Sequence, residues 1–246
     1  MPQELQFIFD RREAKFPLGP QSWESAVRAA EHYLPVERFD GVHGLVQIRT
    51  TYLDTPELAS YREYCEARPL RRKLRIRQYG YEGRFNGRCW IEVKIKQYDQ
   101  SLKRRFACSL DAASSFLTGC DILEDVRASN GGRAEAVEVY EAARAYARRL
   151  ELRPVVRVDY ERIAFRDGTD AAGRITVDRD IRFRLAQRAV TGSMSGVLLE
   201  VKYAGEPPPW LNDLADDLSL PSAQRFSKYA QGIERLMASA VGRGAA

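Results

Sequence analysis

The chain carries the sequence RRKLRIRQY at residues 71–79 and WIEVKIK at residues 90–96. In both segments charged side chains recur at every second position, with apolar side chains between them. Because side chains alternate between the two faces of a strand, each segment predicts a strand with one apolar face and one charged face. The same alternation predicts eight strands, at residues 4–17, 45–53, 71–80, 87–98, 102–110, 153–166, 173–184 and 196–204.

Helical patterns occur only at the connections between these strands. Apolar residues at helical spacing predict helices at 22–34, 56–67, 134–151 and 210–218, and a last helix beginning at Ser222. Because most strands follow one another directly, we expect an antiparallel sheet, and eight strands are enough to close a small barrel. The predicted fold is therefore α+β, mainly β: an eight-stranded antiparallel β-barrel with helices packed outside and a C-terminal helix near one mouth. We expect one domain over residues 1–246, with its core at about 8–238.

Composition is that of a globular protein. Of 246 residues, 44% are hydrophobic and 30% charged, and the formal net charge of +5 weakly favours an anionic partner. The four cysteines form no CxxC pair and only two histidines are present, which argues against a zinc site. The first residues lack a signal-peptide pattern and no run of 18 apolar residues occurs, so we expect a cytoplasmic protein without a transmembrane segment.

The charged strand faces have two interpretations. They are the solvated side of an ordinary sheet, or they line the interior of the barrel while helices cover the apolar faces. Repetition in strand after strand favours the interior, and buried cations would then need an anionic ligand. The carboxylates among these cations make sense if they pair with cations or bind a metal, and oxygen ligands favour Mg²⁺ or Mn²⁺. These carboxylates are Glu13, Glu92, Asp178 and Glu200.

Nine short motifs resemble, in the same order, those of the VTC domain, the polyphosphate polymerase domain of vacuolar transporter chaperones. They span about residues 8–238, and it is the nine in register, rather than any one of them, that are specific; one is LRIRQYG at 74–80. The others are REAKF at 12–16, YLDT at 52–55, EVK at 92–94, KRRF at 103–106, RPVVR at 153–157, LEVK at 199–202, PPW at 208–210 and FSKY at 226–229.

This resemblance implies the triphosphate tunnel metalloenzyme fold, and transfer of the γ-phosphate of ATP to inorganic polyphosphate with Mn²⁺ or Mg²⁺. It implies that Glu200 binds the metal, and we expect Glu13, Glu92 and Asp178 to assist. The phosphate-binding cations that we expect are Lys15, Arg75, Arg77, Lys94, Lys103, Arg105, Arg157, Arg174, Lys202 and Lys228. Of these, we expect Arg75, Arg77, Arg157, Arg174 and Lys228 to take part in catalysis.

The chain departs from the wider superfamily at the start of its first strand. The superfamily pattern Glu-x-Glu-x-Lys is Arg11-x-Glu13-x-Lys15 here, so a cation replaces one carboxylate, which disfavours a two-metal hydrolase. The resemblance implies an SPX domain or membrane helices in the eukaryotic enzymes; we expect neither here, and a separate membrane protein is then a candidate partner.

Three other functions stay open at this point. Water as the acceptor would make the protein a metal-dependent triphosphatase or polyphosphatase, and loss of chemistry would leave a polyphosphate-binding module. Nucleic-acid binding is disfavoured because aromatic residues near the basic strands, such as Phe106 and Phe165, fall on the opposite face.

Overall fold

The computed structural model describes residues 11–39, 41–98, 100–166, 173–186 and 190–243. Within these ranges the chain forms nine strands and seven α-helices. In chain order they are β1 (Arg11–Leu18), α1 (Trp23–Tyr33), β2 (Leu45–Asp54), α2 (Ala59–Cys65), β3 (Leu70–Tyr81), β4 (Arg84–Gln97), β5 (Gln100–Ser109), α3 (Leu110–Leu117), α4 (Leu123–Ser129), α5 (Ala134–Arg149), β6 (Arg153–Arg166), β7 (Arg174–Leu185), β8 (Thr191–Met194), β9 (Val197–Ala204), α6 (Trp210–Asp217) and α7 (Lys228–Arg243).

All nine strands belong to one antiparallel sheet. Its order is β1-β9-β7-β6-β2-β3-β4-β5, and the short β8 pairs with β7 outside this path. Strands that follow one another along the chain pair directly in β3-β4-β5, as expected for short hairpin connections. The predicted antiparallel α+β architecture is confirmed.

The prediction that the sheet closes into a barrel is wrong, because the sheet is curved but its two edge strands do not pair over their described residues. In the described residues β1 and β5 form the two edges, and no ladder of hydrogen bonds joins them. Their Cα atoms nevertheless come close, and Lys94 Nζ on β4 lies 2.8 Å from Glu13 Oε1 on β1. An ion pair between side chains therefore spans the gap where backbone pairing would have closed a barrel.

Three apolar clusters hold the sheet and helices together. One packs α3, α4 and α5 on the outer face of β3, β4 and β5, where Ile91 and Phe106 are fully buried. A second packs α1 and α6 on the outer face of β9 and β7, around Leu199 and Ile175. These outer helices cover the apolar faces, as the sequence predicted, and leave the charged faces of these strands on the inside.

The third cluster lies on the inner face and holds α7. Tyr229 and Ile233 of α7 pack against Val156, Val158 and further residues of β6 and β7. Gly232 allows this close approach, since a Cβ atom there would lie 2.8 Å from a methyl group of Val156. The C-terminal helix thus occupies one end of the space that the curved sheet encloses.

Several predicted boundaries need correction. The helices α3 and α4 and the strand β8 were not predicted, α2 is shorter than the predicted 56–67, and α7 begins at Lys228 rather than Ser222. Residues 221–227 are instead non-helical. The first seven residues of the predicted strand 4–17 lie outside the described part of the chain. Among the described residues no helix is both long and apolar enough to cross a bilayer.

Candidate functional site

The curved sheet encloses a cavity of about 230 Å³ with a strongly cationic lining. Its walls come from β1, β2, β3, β4, β6 and β9, and residues 224–228 complete them. Eleven lysine and arginine residues line this cavity, against two carboxylates, Glu13 and Glu200. The cations are Lys15, Arg71, Lys73, Arg75, Arg77, Lys94, Lys96, Arg162, Lys202, Arg225 and Lys228.

Glu92 organises the cations of β3 and β5. It lies directly opposite Arg75 on β3 and Arg105 on β5, so all three side chains point to the inner face. Arg75 Nη2 lies 2.7 Å from Glu92 Oε2, while Lys103 Nζ and Arg105 Nη1 lie 3.4 and 3.7 Å from Oε1. Glu92 is fully buried, yet these cations outweigh the effect of burial and hold its pKa well below the usual value.

Asp178 binds two cations from different elements. Arg162 on β6 donates from Nη2 to Oδ2 at 2.8 Å and from Nε to Oδ1, and Lys228 at the start of α7 donates to Oδ2. Burial would raise the pKa of Asp178, but Arg162 and Lys228 lower it. This buried triad fixes the first residue of α7 against the cavity wall.

Glu13 and Glu200 share the cations of β1 and β9. Lys15 Nζ lies 3.0 Å from Glu13 Oε2 and 3.8 Å from Glu200 Oε2, and Lys202 Nζ lies 2.7 Å from Glu200 Oε1. Despite burial, the neighbouring lysines lower the pKa of both carboxyl groups. We call Glu13, Lys15, Arg162, Asp178, Glu200, Lys202 and Lys228 the balanced side of the cavity, because every one of these charges has an opposite partner.

The four predicted metal ligands do not converge. In the parts of the chain that the structure describes, no three His, Cys, Asp or Glu residues form a metal-binding group. Glu92 and Asp178 are fully buried and are not among the residues that line the cavity, so they do not fit a metal there. Glu13 and Glu200 line the cavity and share Lys15. They fit Mg²⁺ or Mn²⁺, which proteins commonly hold with one or two carboxylates plus substrate phosphate oxygens.

On the opposite wall of the cavity, three cations lack a carboxylate partner within the described part of the chain. Arg71 and Lys73 on β3 and Arg225 before α7 line it together with Tyr64 of α2. Among the described residues, no carboxylate forms an ion pair with Arg71, Lys73 or Arg225. We call Arg71, Lys73 and Arg225, with Tyr64, the cationic side of the cavity.

Arg157 does not reach the cavity, which corrects its predicted role. On β6 the inner-face residues are Val156, Val158, Tyr160 and Arg162, because α7 packs on the two valines. Arg157 therefore lies on the outer face, where its Nε contacts Asp159 Oδ2 at 2.7 Å. The charged alternation of β6 is real, but it marks a solvent-facing surface.

Three other predicted cations lie beside the cavity lining. Arg174 pairs with Glu37 at 2.7 Å, and Lys103 and Arg105 contact Glu92. The remaining predicted phosphate-binding residues line the cavity together: Lys15, Arg75, Arg77, Lys94, Lys202 and Lys228.

Sequence reasoning missed two groups of lining residues. Tyr160 and Arg162 lie on the face of β6 opposite Arg157, Asp159 and Glu161. Only the apolar Val158 and Val156, two and four positions before Tyr160, mark that face. Arg71, Lys73, Lys96 and Arg225 were not proposed as site residues, although the first three follow the same period of two as Arg75 and Lys94.

Fold and cavity together define an antiparallel β protein with a partly open cationic cavity suited to a phosphate-rich anion. The sequence model of the VTC domain matches residues 10–237, so the chain belongs to the VTC domain family. The match confirms the resemblance seen in the motifs.

Two curated proteins and one solved structure are similar to this chain. Vacuolar transporter chaperone complex subunit 4 of Trypanosoma brucei brucei is 25% identical over 279 aligned residues, which cover 93% of this chain and 35% of that protein. The Schizosaccharomyces pombe subunit of the same name is 24% identical, covering 77% of this chain and 32% of its own length. The chain thus spans about a third of these relatives. The solved PH1819 protein of Pyrococcus horikoshii OT3 shares the fold, with a TM-score of 0.50 at 15% identity over 91% of this chain and 98% of that one.

Proposed function

We propose that the chain is an ATP-dependent polyphosphate polymerase that transfers the γ-phosphate of ATP to a growing polyphosphate chain. The observation that carries the proposal is the cavity lining, in which eleven cations face two carboxylates. Glu92 and Asp178, which are not lining residues, offset part of this excess by pairing with Arg75, Arg162 and Lys228. The cations that remain are costly without a bound anion, and a polyphosphate places one negative charge or more on each phosphoryl group. Membership of the VTC domain family supports the same substrate class.

Phosphoryl transfer depends on positioning and charge stabilisation. Arg75 and Arg77 are two residues apart on one strand face, about 6.7 Å, so each guanidinium can bind a different phosphate. Glu92 holds Arg75 at 2.7 Å and Thr50 Oγ1 accepts from Arg77 Nε at 3.2 Å, which orients both groups before substrate enters. Lys103 and Arg105 contact Glu92 and position it.

The balanced side supplies charge for the transferred group. In the reaction, the bond between the γ-phosphorus and the β,γ-bridging oxygen breaks, and a terminal oxygen of the chain forms the new bond to phosphorus, leaving ADP. Lys15, Arg162 and Lys228 line this side and can stabilise the equatorial oxygens during transfer. The attacking oxygen is already anionic, so the transfer requires no general base.

Glu13 and Glu200 are the residues that would hold a divalent metal. When bound, Mg²⁺ or Mn²⁺ neutralises phosphate charge and orients the phosphate oxygens. Arg174, which pairs with Glu37 beside the cavity, remains a proposed contact for substrate outside the lining residues.

The test is incubation of the purified protein with ATP and Mn²⁺, comparing wild type with Glu200→Gln. We expect long polyphosphate from wild type and a loss of about 100-fold in the variant, because one charge that compensates Lys15 and Lys202 and favours the metal is gone. The matched control is Glu161→Gln, which removes a carboxylate paired with Arg179 on the outer face.

Each other outcome contradicts the proposal in a defined way. Orthophosphate as the sole product would indicate a triphosphatase or polyphosphatase. Polyphosphate binding without ATP turnover in wild type would indicate a binding module. Equal losses in Glu200→Gln and Glu161→Gln would show that the effect does not arise in the cavity.

A further inference from the structure

Lys73 lies in an unusual position within the cavity. Its Nζ is 3.0 Å from Ser227 Oγ, 4.9 Å from the ring centroid of Tyr64 and 5.6 Å from that of Tyr229. These contacts hold the ammonium group by a hydroxyl and two π-systems, without a carboxylate. Arg225 also contacts the Tyr64 ring, with its guanidinium carbon 4.2 Å from the ring centroid.

The charged groups with the largest electrostatic effect on Lys73 are four cations. Arg71 and Arg75 come from its own strand, Lys94 lies opposite on β4, and Lys15 approaches from β1. Burial and then these four cations lower the pKa of Lys73 to about 7. Lys15 shows the contrast, because the opposing carboxylates of Glu200 and Glu13 outweigh burial and raise its pKa.

The two sides of the cavity therefore suit different ligands. A nucleoside triphosphate with a bound divalent metal carries much of its charge already neutralised, and the carboxylates of Glu13 and Glu200 favour that metal. A metal-free phosphoryl chain carries its full negative charge and would be repelled by carboxylates. It is attracted to a wall whose cations have no carboxylate of the described residues within ion-pair distance.

We propose that Arg71, Lys73 and Arg225 form an acceptor subsite that binds the metal-free terminal phosphoryl groups of the polyphosphate chain, while the balanced side binds the metal-bound triphosphate. This assignment rests on the proposed polymerase function. Ser227, which contacts Lys73, lies between Phe226, whose carbonyl oxygen accepts from Lys15, and Lys228. The two subsites thus meet at residues 226–228, where the transferred group would pass from one to the other.

The test measures binding without catalysis. Long-chain polyphosphate is titrated in EDTA, and a nonhydrolysable ATP analogue is titrated with Mg²⁺, for wild type and Lys73→Gln. We expect about tenfold weaker chain binding in the variant, from the lost charge-assisted hydrogen bond. The affinity for the Mg²⁺-bound analogue should change by less than about twofold. Arg72→Gln is the matched control, because Arg72 lies on the opposite face of the same strand.

A second variant tests the charge itself. Lys73→Arg keeps the positive charge and should retain chain binding in the same assay. As pH rises above about 7, wild-type chain affinity should fall because binding requires Lys73 to take up a proton, whereas Lys73→Arg should lack this decline. The arginine variant also corrects for titration of the chain itself. Circular dichroism of each variant verifies folding.

The binding measurements test the acceptor subsite, and the synthesis of polyphosphate separately tests the polymerase activity. Equal weakening of both ligands in Lys73→Gln, unchanged chain binding, or an effect of the same size in Arg72→Gln would overturn the acceptor subsite. Failure of wild type to make polyphosphate, with the selective binding effect intact, would overturn polymerisation and leave the chain subsite standing.

Discussion

The two sides of the cavity place the same kinds of cation in opposite electrostatic situations. On the balanced side, Asp178 and Glu200 lie within ion-pair distance of Arg162, Lys202 and Lys228. On the cationic side, Lys73 has a hydroxyl and aromatic rings as neighbours. The difference teaches that the fold neutralises one set of charges in advance and leaves the other for a ligand. The balanced side should therefore stabilise the protein, and the cationic side should destabilise it until an anion binds.

Acidification should reveal the largest difference between the sides. Glu13, Asp178 and Glu200 of the balanced side, together with Glu92 beside Arg75, all have lowered pKa values in the folded state. Their stabilisation is complete above the unfolded-state pKa of about 4 and is lost below it, at about 1.4 kcal/mol per pH unit and group. We expect a loss of roughly 5 kcal/mol in unfolding free energy near pH 3, measured by urea denaturation.

The cationic side supplies the control for this experiment. Lys73→Gln should show the same decline between pH 6 and pH 3, because Lys73 stays protonated throughout that range. A wild-type stability that stays flat down to pH 3 would contradict the description of the balanced side.

A single substitution on the balanced side should have the next largest effect. Asp178→Asn leaves the buried charges of Arg162 and Lys228 without a partner, and breaking such a pair typically costs about 3–5 kcal/mol. Denaturation at neutral pH measures the loss. Asp159→Asn is the matched control, since Asp159 pairs with Arg49 and Arg157 on the outer face and should contribute less than about 1 kcal/mol. Similar losses in the two variants would remove the distinction between buried and outer pairs.

On the cationic side we expect an effect of opposite sign. Lys73→Gln should stabilise the ligand-free protein by about 1 kcal/mol at pH 7, as commonly found when a functional residue held at the expense of stability is replaced. Because the folded-state pKa of Lys73 is lowered, its destabilisation is complete below about pH 7 and disappears as pH approaches the unfolded value of about 10.4. The gain should therefore shrink between pH 7 and pH 10. A loss of stability at pH 7 would show that Lys73 is structurally compensated.

Much of the sheet could be predicted from alternation. The period of two placed Lys15, Arg75, Arg77, Lys94 and Lys202 on the inner face, and all five line the cavity. The rule works there because the opposite faces of β3, β4 and β9 are apolar and outer helices cover them.

The same rule placed Arg157 on the wrong face, because the sequence allowed either face of β6 to point inward. Its charged face meets solvent while its valines face inward, and this choice depends on α7, which is distant in sequence. β7 itself carries a bulge opposite Asp159–Glu161, where Asp180 has φ 52°, and this shifts the alternation of β7 rather than that of β6. No local pattern reports which face a distant helix will cover.

By itself, the sequence determined an antiparallel sheet with charged inner faces and the family to which the chain belongs. Only the tertiary structure decided that the sheet stays open, that α7 enters it, and which cations receive carboxylate partners. The physical reason is the distance along the chain over which each feature is determined. Alternation follows from the geometry of a single strand, whereas charge compensation depends on groups brought together from strands far apart in the chain, as Lys94 and Glu13 are at 2.8 Å.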